Sequence, residues 1–416
     1  MSAYAAPAPQ SGASLHTAPA RPADRKPLLL HVFPSFGIGG AQLRFANLAN
    51  RFGKRWRHAV VSLDGNRDCA ARIAPEVPLQ MLPSPTRRGE SQVEDLLRMG
   101  ALLRRLKPGL LVTSNWGSID WAMARLAAPG LPHLHTEDGF GADESQGQLR
   151  HRVLMRRLLL RRSTVVLPSS LLRGAAEQHW RLPAARLRHI PNGLDLQRFN
   201  PAGPVALLGP PGPGPLIGTM APLRPEKNLG RLLRACALLR RQGLALRLVI
   251  LGDGPERTEL QSLARRLSLG SAVRFAGQVA DPATAYRTLD IFALSSDTEQ
   301  MPFAVLEAMA TALPVASTDV GEIRSMLSPE NLPHVSGLKD AALAEALRPL
   351  VLDATLRARL GAANRAKAER DYDQEAMFQS YAGLIDAKLN NAGLNNARPT
   401  DAGDRFGAPG QVNGRG

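Results

Sequence analysis

The sequence predicts an α/β protein of two doubly wound domains that face each other across a cleft. Three observations carry this. A chain of 416 residues is longer than one hydrophobic core usually serves. Short apolar runs alternate with helical periods in both halves, the signature of parallel sheets covered by helices. Between the halves, residues 201–215 hold the densest cluster of Pro and Gly in the chain, which reads as the interdomain linker.

The first half, residues 26–200, opens with the apolar run Leu28–Phe33, a strand that breaks at residues 34–40, where Gly37, Gly39 and Gly40 stand. Leu43, Ala46, Leu48 and Phe52 then recur on one side of a helix. Strands are expected at residues 59–63, Leu110–Ser114, 131–135 and 164–168, with a helix over 93–106. After the linker the alternation restarts. Strands are expected at 216–219, 246–251, 273–276, 291–295 and 314–317, and helices at 228–241, 256–267 and 305–312. Helical segments fill 339–349 and 353–389. The second domain is expected to span 216–370, and residues 371–389 form a helix that returns to the first domain. Residues 1–25 and 390–416 read as disordered tails.

Bulk properties narrow the function. Cys69 and Cys236 lie far apart, which disfavours a disulfide framework or a zinc site and suits a reducing cytosol. No apolar run approaches the ~20 residues that span a bilayer, and the N-terminus lacks the apolar core of a secretory signal. The net charge of +16 is uneven: residues 24–200 carry 27 Lys and Arg against 14 Asp and Glu, whereas 201–390 carry 21 against 20. This asymmetry admits two readings, a solvated basic surface or an anionic partner such as a membrane surface. Residues 150–162 concentrate it, with six arginines around Val153, Leu154, Leu158 and Leu159. They read as a core helix with an Arg-rich outer face, or as a membrane-surface helix. Nucleic acid is disfavoured, because aromatics are only 5% of the chain and offer no stacking platform.

In open α/β sheets ligands bind at the carboxyl ends of the strands, so function is sought in those loops. Glu299 and Glu307 have seven residues between them, the first in a strand-end loop and the second inside the next helix. Pro302 suits the first helical turn, which leaves the N–H groups of Phe303 and Ala304 free to meet a phosphate. Two carboxylates flanking a phosphate must hydrogen-bond hydroxyls rather than the anion, as a sugar and a ribose would allow. Gly37-Ile38-Gly39-Gly40 lacks the spacing of a dinucleotide fingerprint. Asp371-Tyr372-Asp373 spells a metal-nucleotide signature but falls between two C-terminal helices, where Asp373 suits an N-cap. No metal and no other cofactor is expected.

With its neighbours, the Glu299–Glu307 segment resembles the E-x7-E signature of the retaining GT-B glycosyltransferases of family 4. The resemblance takes in Leu306-Glu307-Ala308-Met309-Ala310, Pro191-Asn192-Gly193-Leu194-Asp195 and Arg224-Pro225-Glu226-Lys227-Asn228. Leu251-Gly252-Asp253-Gly254-Pro255 and Thr318-Asp319-Val320-Gly321-Glu322 extend it over most of residues 28–385. It implies the GT-B fold, two Rossmann-like halves around a cleft, and transfer of a hexose-type sugar from a nucleoside diphosphate donor to a saccharide or lipid-linked acceptor. It implies that Glu307 binds the ribose, that Glu299 binds the transferred sugar, and that His135 lies beside the reacting sugar. The amides near Phe303, Ala304, Gly39 and Gly40 would cradle the diphosphate and Lys227 would neutralise it. Where the family carries an arginine five residues before that lysine, this chain has Pro222, and Arg224 is the candidate replacement. Where the family often has a second histidine stands Asp138, a candidate contact for sugar or acceptor. His133 and His135 are expected to point to opposite faces of their strand. A binding or scaffold subunit, which Pro222 favours, and a sugar-nucleotide epimerase are the rival readings. The implied location is cytoplasmic, peripheral on the inner face of the membrane.

Overall fold

The computed structural model describes residues 26–86, 89, 91–139, 144 and 147–393. The tail expected at 1–25 lies outside the described residues, as does that expected at 390–416 from residue 394 onward; Asn390 and Asn391, read as its start, instead finish the last helix. The first sheet has seven parallel strands: β1 (Leu28–Phe33), β2 (Arg57–Ser62), β3 (Leu79–Leu82), β4 (Leu110–Ser114), β5 (His133–Thr136), β6 (Thr164–Leu167) and β7 (Leu187–His189), in the order β3-β2-β1-β4-β5-β6-β7. The second has six: β8 (Leu216–Met220), β9 (Arg247–Leu251), β10 (Val273–Gly277), β11 (Ile291–Leu294), β12 (Val315–Thr318) and β13 (Val335–Ser336), in the order β10-β9-β8-β11-β12-β13. The central strands are buried on both faces, as parallel sheets covered by helices must be, so they read as mostly apolar runs, with His31 in β1 and Thr113 and Ser114 in β4 as buried polar exceptions.

The first sheet is covered by α1 (Gly40–Phe52), α2 (Gln92–Leu106), α3 (Asp120–Ala124), α4 (Arg150–Leu159) and α5 (Ser170–Gln178). The second carries α6 (Leu229–Arg241), α7 (Arg257–Arg266), α8 (Pro282–Tyr286), α9 (Phe303–Ala310), α10 (Ile323–Met326) and α11 (Asp340–Leu352). Two long helices, α12 (Ala354–Asp371) and α13 (Gln374–Asn391), finish the chain. Each sheet reverses its winding once, between β1 and β4 in the first and between β8 and β11 in the second. Those switch points open the crevices where doubly wound sheets bind ligands.

The final helix crosses back to the first domain, and its sequence explains why. Met377, Phe378, Tyr381, Ala382, Ile385 and Leu389 form one stripe, buried against Leu29, Leu110, Val112 and Leu134 of the first sheet. Large apolar side chains contribute about 1.5–3 kcal/mol each on full burial, so the stripe is comparable to the net stability of a whole domain. The break before α13 is built around Gly193, where a Cβ would lie 2.5 Å from the Gln374 Cα. Leu194 exchanges backbone hydrogen bonds with Tyr372 and Gln374 at 2.8 and 3.1 Å. Asp373 caps α13 by accepting from the Glu375 amide at 3.0 Å.

Helix α4 departs from the reading of a core helix whose four apolar residues face inward and whose arginines all face out. Val153 and Leu159 pack on the core, whereas Leu154 and Leu158 are exposed. Arg156, expected on an outer face, is fully buried. It is held by Glu137 at 3.2 Å and by Glu144 at 3.1 and 3.2 Å, with the rings of Trp116 and Trp180 about 5 Å away. A buried guanidinium is tolerable only when paired in this way.

Candidate active site

The loops after β8 and β11 lie side by side because those strands are neighbours. Pro222 stands in the first of them. Its shape is set by the turn after β9, where a Cβ on Gly252 (φ +124°) would lie 2.0 Å from the Ala221 carbonyl oxygen. Only glycine permits that approach. A tight helical turn, Pro225–Lys227, then places Lys227, and Asn228 caps α6. Lys227 Nζ donates to Glu299 Oε1 at 2.7 Å, and the Ser296 hydroxyl donates to the same oxygen at 2.7 Å. Arg224 is exposed and makes no side-chain hydrogen bond or ion pair among the described residues.

Glu299 sits where two helix N-termini converge. Pro302 caps α9, one residue earlier in role than its sequence suggested, so Phe303 and Ala304 hold the first two free amides. Across the cleft Gly39 caps α1. The two ends touch: a Cβ on Gly40 would lie 3.3 Å from the Phe303 ring. The first-turn amides of two helices make this a favourable place for a diphosphate. The loop carrying Glu299 is braced from behind by Gly321 (φ +55°), whose missing Cβ would lie 2.3 Å from the Glu299 carbonyl oxygen.

Glu307, one face of α9 away, is half-buried. Burial pushes its carboxyl up to about 7, against the opposing influence of Tyr286 and Arg198. The Tyr286 hydroxyl is buried without a well-formed hydrogen bond, and burial together with Glu307 holds its pKa well above the usual value.

The first domain supplies the opposite wall of a cleft of about 690 Å³, a volume suited to a small-molecule substrate. Gly40, Asp138, Glu299 and Phe303 line it, together with Arg44, Asn115, Trp116, Arg152, Asn192 and Gln300. Arg44 holds Asp138 through two hydrogen bonds of 2.5 and 2.8 Å and donates to Asn192 at 2.9 Å. Burial works against the Arg44 charge, but Asp138 and Tyr381 beside it keep its pKa above the usual value. The walls meet at Gly139, where a Cβ would lie 2.6 Å from Gln300 Cγ.

His135 requires a correction. It does not line the cleft but is fully buried, bonded to Thr113 Oγ1 at 2.7 Å and to Glu137 at 3.3 Å. Nor do the two histidines oppose each other. Residues two apart on a strand share a face, and His133 binds the same Thr113 hydroxyl at 2.8 Å. The cleft position of this loop belongs to Asp138. Sequence reasoning passed over Arg44, which lies within an otherwise apolar helix face and pairs only through long-range contacts. It also missed Asn115 and Trp116, although their place directly after β4, at the switch point, marks them.

Comparison with known proteins bears on what the cleft does. Residues 208–367 match the family described as glycosyl transferases group 1, and residues 38–198 match Glycosyltransferase Family 4. The chain belongs to the group 1 glycosyltransferases of the GT-B fold. It is 30% identical over 253 residues to WcaL of Escherichia coli, a protein named for glycosyl transfer in colanic acid biosynthesis, with 58% of this chain and 61% of that one covered. It is 34% identical over 156 residues to a GDP-mannose-dependent alpha-mannosyltransferase of Mycobacterium tuberculosis, covering 37% and 38%. The chain therefore spans about 36–61% of the length of the curated relatives it matches first. Anabaena Alr3699/HepE, solved with UDP and glucose, superposes with a TM-score of 0.70 at 17% identity, covering 87% of this chain and 100% of that one. At that identity the likeness is one of fold. Among the described residues, no three His, Cys, Asp or Glu are grouped to hold a metal ion, and no helix is long and apolar enough to cross a membrane.

Proposed function

We propose that the protein is a retaining glycosyltransferase that moves a hexose-type sugar from a nucleoside diphosphate sugar to a saccharide or lipid-linked acceptor, in cell-surface or exopolysaccharide synthesis. The observation that carries this is the meeting of the N-termini of α1 and α9 beside the Lys227–Glu299 pair. In this reading the diphosphate lies across the amides of Gly39, Gly40, Phe303 and Ala304. Lys227 leaves Glu299 for the phosphate, with Arg224 as a second cation, and Glu299 turns to hydroxyls of the transferred sugar. Glu307 takes the ribose hydroxyls. The charge that grows on the leaving diphosphate is met by donors already in place, which favours the transition state over the ground state. The leaving diphosphate then takes the acceptor proton on the same face, which retains the anomeric configuration.

This arrangement needs no metal, because amides and Lys227 answer the phosphate charge. WcaL's name and the mannosyltransferase's GDP-mannose support the polysaccharide and nucleotide-sugar parts of the reading. An anionic membrane surface on the cytoplasmic side is proposed as a further partner. On α4 the exposed Leu154 and Leu158 share a face with the exposed Arg150 and Arg157, and the exposed Arg161 follows the helix. A thermal-shift panel of nucleoside diphosphates tests the donor assignment. One of them at 100 times its Kd should stabilise the protein by about 2.7 kcal/mol, and no shift with any base contradicts the reading.

A further inference from the structure

The wall of the cleft opposite Glu299 carries a feature that donor binding does not use. Directly after β4, Asn115 has φ +60° and ψ 175°. That region is essentially restricted to glycine, so a side-chain-bearing residue there is strained. The strain is held by two hydrogen bonds: the Asn115 amide donates to the Thr136 carbonyl at 2.8 Å, and its Oδ1 accepts from the Asp138 amide at 2.8 Å. The same residue thus fixes Asp138 and turns the next side chain, Trp116, into the cleft lining.

Trp116 is half-buried. The guanidinium groups of Arg152 and Arg156 each lie 5.1 Å from its ring, and His151 meets it edge-on at 6.2 Å. These contacts hold the ring in place, and Arg152 lines the cleft beside it. The other indoles, Trp56, Trp121 and Trp180, are 1%, 0% and 0% exposed. Trp116 alone among the four offers a surface to a ligand. The cations of this wall are already engaged. Arg44 is paired with Asp138 and Asn192, and Arg152 with Glu144 at 3.1 Å. An acceptor phosphate would have to compete with carboxylates for them, whereas a pyranose needs a flat apolar face and nearby hydrogen-bonding groups.

We infer that Trp116 is the platform on which the acceptor is stacked, and that the reacting end of the acceptor is a sugar ring rather than a lipid phosphate. The inference rests on the glycosyltransferase reading and specifies its acceptor. The ring lies on the indole, and the side chains of Asn115 and Asp138 take its hydroxyls.

The test is a fluorescence titration of the full chain in the presence of whichever nucleoside diphosphate binds best. The probes are methyl α-D-mannopyranoside, methyl α-D-glucopyranoside and methyl β-D-galactopyranoside, with farnesyl phosphate as the contrast. At least one glycoside should shift the tryptophan emission saturably and reduce quenching by acrylamide, and farnesyl phosphate should do neither. Trp116→Phe should lose the response while keeping its nucleoside diphosphate affinity. In Trp116→Leu calorimetric glycoside affinity should fall about ten-fold, the scale of one aromatic contact. Silence with all three glycosides, a response to farnesyl phosphate alone, or a glycoside response that survives Trp116→Phe would overturn the inference. Should the variants not fold, acrylamide quenching of the parent protein decides, because its other indoles are buried. If no nucleoside diphosphate binds the parent protein, the donor reading has failed, not the platform.

Discussion

Burial pushes the Glu307 carboxyl from 4.5 up to about 7, and this gives the account a pH signature. An acid with a raised pKa keeps its proton in the native state through a window, here about 4.5 to 7, in which the unfolded chain has lost it. Native stability is therefore fully present below 4.5, declines as pH rises through that window, and has lost its full share above 7. The shift corresponds to roughly 3 kcal/mol at most. Glu307→Gln removes the titration and keeps the shape. Urea denaturation at pH 4, 6 and 8 should show parent and variant equally stable at pH 4, with the variant ahead by about 1–3 kcal/mol at pH 8. Ribose hydroxyls that donate to Glu307 favour its ionised form, so the affinity of the parent for a nucleoside should rise up to ten-fold per pH unit toward 7 and then level. A nucleoside avoids the titration of phosphate itself. A stability difference that does not change with pH, or a flat nucleoside profile, would refute the reasoning.

Two further outcomes are expected. Arg224→Ala should weaken nucleoside diphosphate binding about ten- to a hundred-fold by removing a charged hydrogen bond of roughly 1.5–3 kcal/mol, with nucleoside binding nearly unchanged; equal losses would indicate damage to the fold. The protein should bind anionic vesicles but not neutral ones and release at high salt, since each basic residue near the surface contributes only about 1 kcal/mol and is screened; equal binding to both vesicles would remove α4 from that role.

The central strands were legible because a parallel strand buried on both faces is mostly apolar, as Leu28–Phe33 is around His31 and Leu110–Ser114 is before Thr113. The strands overlooked, β3, β7 and β13, are short and stand at or near sheet edges, where burial on one side leaves Gln80, Arg188 and Ser336 in place and no apolar run to see. Loop chemistry followed the same division. The free amides at Phe303 could be read from Pro302, because a cap is a local device. The direction of His135 could not, since it depends on Thr113 and Glu137 reaching it. Arg156 likewise looks like any solvated arginine until Glu137 and Glu144 enclose it. Arg44 is recognisable only through Asp138, 94 residues away.

The two glutamates separate the account from its rivals most directly. Glu299 is bound to Lys227 and Ser296, on the side assigned to the transferred sugar, and Glu307 stands beside Tyr286, on the side assigned to the ribose. Nucleoside diphosphate affinity by calorimetry and turnover at saturating donor should be measured for Glu299→Gln and Glu307→Gln, once both show normal cooperative unfolding. Glu299→Gln should bind the diphosphate nearly as the parent does and lose turnover by about 10²–10³-fold, because its contact is with the group in transfer. Glu307→Gln should weaken diphosphate binding itself. If Glu299→Gln loses diphosphate affinity as severely as Glu307→Gln, the donor has been placed the wrong way round, and if both variants turn over like the parent, the account of this site is wrong.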